Sequence, residues 1–422
     1  MQPLRAVKGM NDVLPGDVAR WRRVEQTFER ISAGYGFEEV RTPIVEPTAL
    51  FVRSIGDTTD IVEKEMYSFV DKGKDALTLR PEGTASAVRA FIQHTVYARS
   101  PVTKWSYKGP MYRRERPAKG RYRQFYQLGA EVFGDPGPHV DAELIEMLVR
   151  FLTELGARDV EVRINSLGSG ETRKRYRDAL VAYLTPHKEA LSADSQRRLD
   201  LNPLRVIDSK APQDQEIARG APSILDHLGD DDRVHFDELR ASLEALGVPH
   251  VVDHTIVRGL DYYSRTLFEV KGRGGQLGAQ DTICGGGRYD RLVEELGGPT
   301  TPAIGFAIGI ERLLMIMDDA PAADRQGIFV LSASPELRRD ALVLLRDLRA
   351  GGLMADGDFR GNSLKSQMRR ADKARAALVM ILGEDEIAQK SVQVRDLQAK
   401  SQEAVPRDAI VAHALGALGG AA

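Results

Sequence analysis

The chain has 422 residues, 42% of them hydrophobic and 28% charged, with a formal net charge of -2. That length exceeds one ordinary core and predicts two or three domains. The near-neutral balance excludes a protein that coats nucleic acid over its whole surface, while leaving room for local basic patches. A single cysteine, Cys284, rules out a disulfide within the chain and fits a reducing compartment. No signal-peptide core opens the sequence, and no apolar run approaches the roughly 18 residues of a membrane span. The expectation is a cytoplasmic protein that does not cross a membrane.

Residues 17–35 place Trp21, Val24, Phe28 and Ile31 on one face of an amphipathic helix, closed by Gly34 and Gly36. GFEEVRTPIVEP then predicts a short strand stopped by prolines, DALTLRPEG a strand and turn, and TASAVRAFIQHTV a helix. VTKWSYKGPMYRRE and RQFYQLGAEVFG predict the arms of a long hairpin, followed by a helix over 139–155. From about residue 170 to 247 the sequence turns polar and helical, an insertion between two β-rich parts of one domain. Strands resume with HVVDHTIVRGLDYYSRTLFEV and the glycine-rich ICGGGRYD, ending in a helix around GIERLLMIM. Residues 318–326 have the composition of a linker. Beyond them strands and helices alternate, which predicts a small α/β domain with a mostly parallel sheet.

Residues 109–129 gather five arginines and one lysine against a single glutamate, between the two hairpin arms. Tyr112, Tyr122, Phe125 and Tyr126 interleave with them. Guanidinium groups grip phosphate in a bidentate fashion and aromatic rings stack on bases, so the pattern points to a nucleoside polyphosphate, with RNA backbone at the tip. A solvated hairpin is the plain alternative. In LRPEGT, Thr84 and Glu82 either cap a helix or face a pocket and hold a ligand ammonium; the stretch alone leaves both open. Arg258 and Arg312 point the same way as the cluster, since an arginine at an apolar helix start is costly without an anion. For Arg312 a salt bridge to Glu311 is the competing reading. No GxxxxGK[ST] loop and no properly placed Rossmann fingerprint are present. An ATP site here would be an antiparallel sheet lined with arginines.

These stretches together resemble the class II aminoacyl-tRNA synthetases, and within them the histidyl-tRNA synthetase family. GFEEVRTPIVEP resembles the first class motif, with Pro43 ending a dimer-interface strand. GPMYRRERP with QFYQLGAEVFG resembles the second through Arg113, and GFAIGIERL the third through Arg312. KGMNDVLP, LRPEGT, VRGLDYY and CGGGRYD resemble signatures of the histidine enzymes, and the likeness covers nearly the whole chain.

The resemblance implies an α+β fold, a class II antiparallel sheet core flanked by helices, with the helical insertion at about 170–247. Residues 1–323 would be catalytic and 324–422 a C-terminal α/β anticodon-binding domain. It implies that histidine is activated with ATP and then passed to tRNA(His) by a homodimer. Arg113 and Arg258 would bracket the α-phosphate and act in catalysis, with Arg312 beside the terminal phosphates. Magnesium would accompany ATP, although no metal ligands are legible. Glu131 shares a strand face with Gln127 and Gly129. The resemblance assigns Glu131 and Tyr263 to the imidazole edges, and Gln127, Glu82 and Thr84 to the α-amino end. Gly83 and Tyr262 complete the expected histidine site. A surface position for Glu131 is the competing reading, and Cys284 is expected to be a small buried residue.

For tRNA the candidates are Arg121 and an i, i+4 stripe of Lys365, Arg369 and Lys373, opposite Leu364, Met368 and Ala371. A merely solvated basic face is the alternative there. A synthetase-like regulatory subunit of histidine biosynthesis, which does not aminoacylate, is the nearest rival. Such subunits typically lack the C-terminal domain and have eroded pocket motifs, whereas both are intact here.

Overall fold

The computed structural model describes all residues except 1–2, 57–58, 158, 258–259, 261, 273–280, 319–324, 361 and 420–422. The chain divides into two compact units, Met1–Asp318 and Asp319–Ala422. No helix among the described residues is long and apolar enough to cross a membrane.

The first unit is organised by an eight-stranded sheet. Its six inner strands, antiparallel to one another, run in the order Thr103–Tyr112, Gln124–Phe133, Ala303–Gly309, Thr282–Arg288, Ser264–Gly272 and Val160–Ser166. Short parallel strands, Glu38–Glu39 and His250–Val252, close the two edges. Alternation along the strands separates the faces. Leu128, Ala130 and Val132 pack under helices Pro15–Gly34, Pro138–Glu154 and Asp230–Ala245 through Phe28, Phe151 and Leu239. The opposite face carries Gln127 and Glu131 and is partly covered by helix Thr84–Gln93 through Val88 and Phe91.

Two details of this unit differ from the sequence reading. GFEEVRTPIVEP supplies two strand fragments rather than one. Glu38–Glu39 joins the large sheet, and Val45–Pro47 joins a separate three-stranded sheet with Ala76–Leu79 and Tyr67–Val70. Thr42 and Pro43 lie at the break, and Arg80 bonds the Thr42 carbonyl there at 3.1 Å. ICGGGRYD supplies a strand as expected, with its glycines in the interior of Thr282–Arg288. Within 170–247, the final helix Asp230–Ala245 belongs to the main core, while the preceding helices pack Tyr176, Leu180 and Leu184 on the other side of the sheet.

The second unit holds a five-stranded sheet in the order Ala355–Gly357, Ile328–Ser332, Leu378–Leu382, Ser391–Asp396, Gln402–Pro406. The first three strands are parallel and the last two antiparallel, so the sheet is mixed rather than mostly parallel. The added hairpin has one polar face and buries only Val392, Val394 and Val405, which muted its signal. Helices Arg338–Ala350 and Ile410–Gly419 cover one face, and Leu364–Lys373 the other.

A buried ion pair ties helices to the large sheet. Arg288 and Asp141 are both fully buried and meet at 2.8 Å, and the Thr266 hydroxyl donates to Asp141 at 2.6 Å. His235, on helix Asp230–Ala245, lies 3.6 Å from Asp141. Burial, and then the charges of Arg288 and Arg265, push His235 down to about 4. An unfolded histidine takes its proton near pH 6.5, so the unfolded chain binds more protons than the folded one between 6.5 and 4. This contribution to stability is complete above 6.5 and is lost as pH falls toward 4. His235→Gln should therefore flatten the fall in urea midpoint across that window; an unchanged slope would assign the acid sensitivity to other groups.

Candidate active site

On the face opposite the main helical layer, the large sheet carries a cavity of about 320 Å³. Its floor is built from small residues of adjacent central strands, among them Gly285, Gly305, Ala307 and Gly309. Register places Gly305 opposite Glu131 and Ala307 opposite Gly129. A flat ligand can lie close to the backbone there because no large side chain rises from these positions.

Glu131 points to the cavity side of the sheet, over Gly305, with no exposed surface, so it is neither a surface residue nor part of the cavity lining. Its Oε1 accepts from the Thr84 hydroxyl at 2.7 Å and the Tyr107 hydroxyl at 3.0 Å. Its Oε2 accepts from the Tyr289 hydroxyl at 2.5 Å. Burial pushes the carboxyl up to about 8, against the pull of the Tyr289 and Thr84 hydrogen bonds. A Cβ on Gly305 would overlap Glu131, and a Cβ on Gly83 or Gly129 would overlap the Tyr107 ring. Among the described residues Glu131 forms no ion pair. A buried carboxyl with only hydroxyl donors is suited to receive an N–H group from a ligand.

Glu82, Thr84 and Gln127 line the same cavity, as do Tyr262 and Tyr263. Glu82 accepts from the backbone N–H groups of Thr84 (2.6 Å) and Ala85 (2.8 Å). It thereby caps the helix that starts at Thr84, so capping and pocket lining coexist in one residue. Burial raises the Glu82 carboxyl, opposed first by the Ala85 and Thr84 N–H groups. Gly83 is the helix N-cap position. The rings of Tyr262 and Tyr263 stand 4.7 Å apart, and Tyr262 meets Tyr289 edge-on at 5.6 Å.

At the other end of the cavity stand the arginines. Arg113 donates from Nε to the Pro81 carbonyl at 2.9 Å, and its guanidinium sits 5.3 Å from the centre of the Phe125 ring. Arg312 donates to the Gly120 carbonyl (Nε, 3.1 Å) and the Thr282 carbonyl (Nη1, 2.7 Å). These carbonyls orient both guanidinium groups toward the cavity that they line. Glu311 receives the Tyr126 N–H on both oxygens, at 3.0 and 3.1 Å, and burial pushes its carboxyl up to about 7. Arg121, expected at the loop tip, lies on the cavity wall and pairs with Glu115. The N-terminal segment secures the loop end of the hairpin: the Gly9 carbonyl accepts from Arg123 N (2.7 Å) and Gln124 N (3.1 Å).

Arg258 lies outside the described residues. Cys284 is buried, as expected, and lines the cavity. No group of three or more His, Cys, Asp or Glu among the described residues is arranged to hold a metal ion. The sequence reading missed Tyr107 and Tyr289. Tyr289 sat in view within CGGGRYD, two residues beyond Gly287. Tyr107 is signalled only by its cross-strand partner Gly129, which requires the register. In the second unit Lys365, Arg369 and Lys373 are exposed. Leu364 is exposed as well, and the buried side of that helix is formed by Gln367 and Ala371.

Comparison with known proteins agrees with this geometry. A family model described as Histidyl-tRNA synthetase matches residues 9–313, and one described as Anticodon binding domain matches 327–415. The chain is 56% identical to Histidine–tRNA ligase of Sorangium cellulosum over 403 residues, 96% of this chain and 94% of that one. The crystal structure of apo S. aureus histidyl-tRNA synthetase matches with a TM-score of 0.83 and 34% identity, covering 97% of this chain and 99% of the other. A structure named as an ATP phosphoribosyltransferase regulatory subunit/histidyl-tRNA synthetase from Bacillus halodurans shares the fold, with a TM-score of 0.64 and 24% identity over 87% and 97% of the chains. The cavity that joins a buried acidic pocket to a rank of arginines is thus found on a chain that belongs to the histidyl-tRNA synthetase family.

Proposed function

We propose that the chain is a histidine–tRNA ligase that consumes ATP. One observation carries the reading: the polar residues suited to an amino acid, Glu82, Thr84, Gln127, Tyr262 and Tyr263, share one cavity with Arg113 and Arg312. In the first step a carboxylate oxygen of histidine attacks the α-phosphorus of ATP. The bond from that phosphorus to the bridging oxygen breaks, and pyrophosphate leaves with the electron pair. The nucleophile is already an anion, so orientation and positive donors supply most of the rate. Arg113 and Arg258 bracket the α-phosphate, and Arg312 holds the terminal phosphates. In the second step the terminal ribose hydroxyl of tRNA(His) attacks the aminoacyl carbonyl and AMP departs.

Histidine is selected by its ring. Glu131 takes an imidazole N–H in place of one of its hydroxyl donors, and Tyr263 meets the other ring edge. Glu82, Gly83, Thr84 and Gln127 surround the α-amino end, with Tyr262 packed against Tyr289. An amino acid without a ring N–H forgoes that bond to Glu131, at a cost of about 1–3 kcal/mol. Magnesium would accompany ATP and would offset the charge of its phosphates. Residues 1–323 form the catalytic domain, and 324–422 the domain that reads the anticodon, with Arg121, Lys365, Arg369 and Lys373 contacting tRNA. The compartment is the cytoplasm.

Histidine alone among the twenty amino acids should support ATP–pyrophosphate exchange, and equal exchange with another would refute the assignment. Arg258→Ala should slow that exchange by roughly 10²–10³-fold while the protein stays folded, the usual loss for one donor to developing charge. Exchange near the wild-type rate would make Arg258 a structural residue.

The protein is a homodimer that pairs around residues 36–47. Ile44 and Val45 are 40% and 39% exposed, and edge strand Tyr67–Val70 leaves Phe69 and Val70 at 46% and 68%. Apolar strand edges of this kind ordinarily pair with another chain. Sedimentation at micromolar concentration should give a dimer, and a fully active monomer would contradict it.

A further inference from the structure

The hairpin arm Gln124–Phe133 runs on past the end of its strand partner. Strand Ala303–Gly309 pairs with it as far as Gly309, opposite Gln127, and one further step of the ladder would set Ile310 opposite Tyr126. At Gly309 the chain turns into helix Ile310–Leu313 instead. The Ile310 carbonyl goes with the helix and accepts from Leu314 N at 2.9 Å. The Tyr126 N–H thereby loses its ladder acceptor, a costly state for a strand amide away from water.

The Glu311 side chain takes the place of that carbonyl. Both its oxygens accept the Tyr126 N–H, at 3.0 and 3.1 Å, so the carboxyl faces the arm although Glu311 edges the cavity. A carboxyl or amide oxygen can meet this need, and an apolar side chain cannot. Helix Pro15–Gly34 clamps both partners of the bond. Arg20 Nη2 donates to the Leu314 carbonyl at 2.9 Å, and the Trp21 ring meets Tyr126 edge-on at 5.1 Å. Arg312 follows Glu311 directly, with its own bonds to the Gly120 and Thr282 carbonyls. One side-chain bond therefore sets the helix start that carries Arg312 against the arm that carries Phe125 and Gln127.

We propose that Glu311 is a positioning residue for ATP, which keys Arg312 to the hairpin arm by replacing a bond of the β-ladder. The Gly120 and Thr282 carbonyls aim the Arg312 guanidinium, and Glu311 fixes where its backbone stands. Glu311 acts through Arg312 and contacts neither substrate. The inference rests on the reading of this cavity as the ATP site of a tRNA ligase, and adds a residue to it.

The test uses full-length protein. Dissociation constants for ATP and for histidine are each measured alone by equilibrium dialysis, and pyrophosphate exchange is followed in parallel. Glu311→Ala should weaken ATP binding and lower kcat/KM for ATP by roughly 10–100-fold, the scale of a displacement of about one ångström. Histidine affinity should stay at the wild-type value, which a disrupted sheet would not allow. Glu311→Gln keeps an acceptor oxygen and should recover most of the loss. In an Arg312→Ala background, Glu311→Ala should add less than about threefold, because residues that act as a unit are not additive. Wild-type kinetics in Glu311→Ala, an equal loss of histidine affinity, a glutamine variant as poor as alanine, or full additivity with Arg312→Ala would each overturn the proposal. If the wild-type protein binds ATP but exchanges no pyrophosphate with histidine, the ligase reading falls and the ATP dissociation constants of the variants decide this one. If the wild-type protein binds no ATP, both fall.

Discussion

A carboxyl group with no exposed surface and no ion-pair partner among the described residues is an expensive thing to bury, and Glu131 sits at the centre of the large sheet in that state. Its surroundings are arranged to tolerate it. Three hydroxyls, from Thr84, Tyr107 and Tyr289, converge from a helix start, an adjacent strand and a strand end. Gly305 leaves the room that its carboxyl occupies, and Gly83 with Gly129 leave the room for the Tyr107 ring. The glycines of the neighbouring strands thus serve the acid as much as the ligand floor. Within strand Thr282–Arg288, a Cβ on Gly286 would meet the Phe268 ring and one on Gly287 the Tyr263 ring, so packing against these rings requires glycine there.

The arginine hairpin solves the opposite problem. Positive groups must be aimed where phosphate would sit. Backbone carbonyls of Pro81, Gly120 and Thr282 orient Arg113 and Arg312, and Phe125 supports one guanidinium face. A neutral carbonyl directs a guanidinium while leaving its charge available to an anion. Antiparallel pairing makes this possible, because adjacent strands bring Gln127 and Gly309 into register near the arginine end while Glu131 and Gly305 lie toward the other. Acidic and basic ends therefore share one rigid surface.

Much of this was legible in the amino-acid sequence because local signals and tertiary roles coincided. The helix bearing Val24, Phe28 and Ile31, the long hairpin and the helical stretch after residue 170 all follow from periodicity. Gln127 and Glu131 share a face by strand alternation alone. What escaped depends on partners distant in the chain. Tyr107 matters because Gly129 lies across from it, and Tyr289 because its hydroxyl reaches Glu131, 158 residues away. The hairpin Ser391–Asp396 and Gln402–Pro406 escaped because only one face is apolar and its strands sit at the sheet edge. Leu364 was expected to be buried, but Gln367 takes the inner position because its amide satisfies backbone groups of Ser332 and Asn362.

If Glu131 is the acceptor around which histidine recognition is built, its amide isostere is the most direct probe. Glutamine keeps the volume and one acceptor oxygen, so Glu131→Gln should fold. Its kcat/KM for histidine in pyrophosphate exchange should fall by roughly 10–100-fold, the loss of one hydrogen bond to a charged group, with the KM for ATP little changed. A variant that activates histidine at the wild-type kcat/KM would contradict the account, and would make the buried carboxyl a purely structural member of its hydroxyl network.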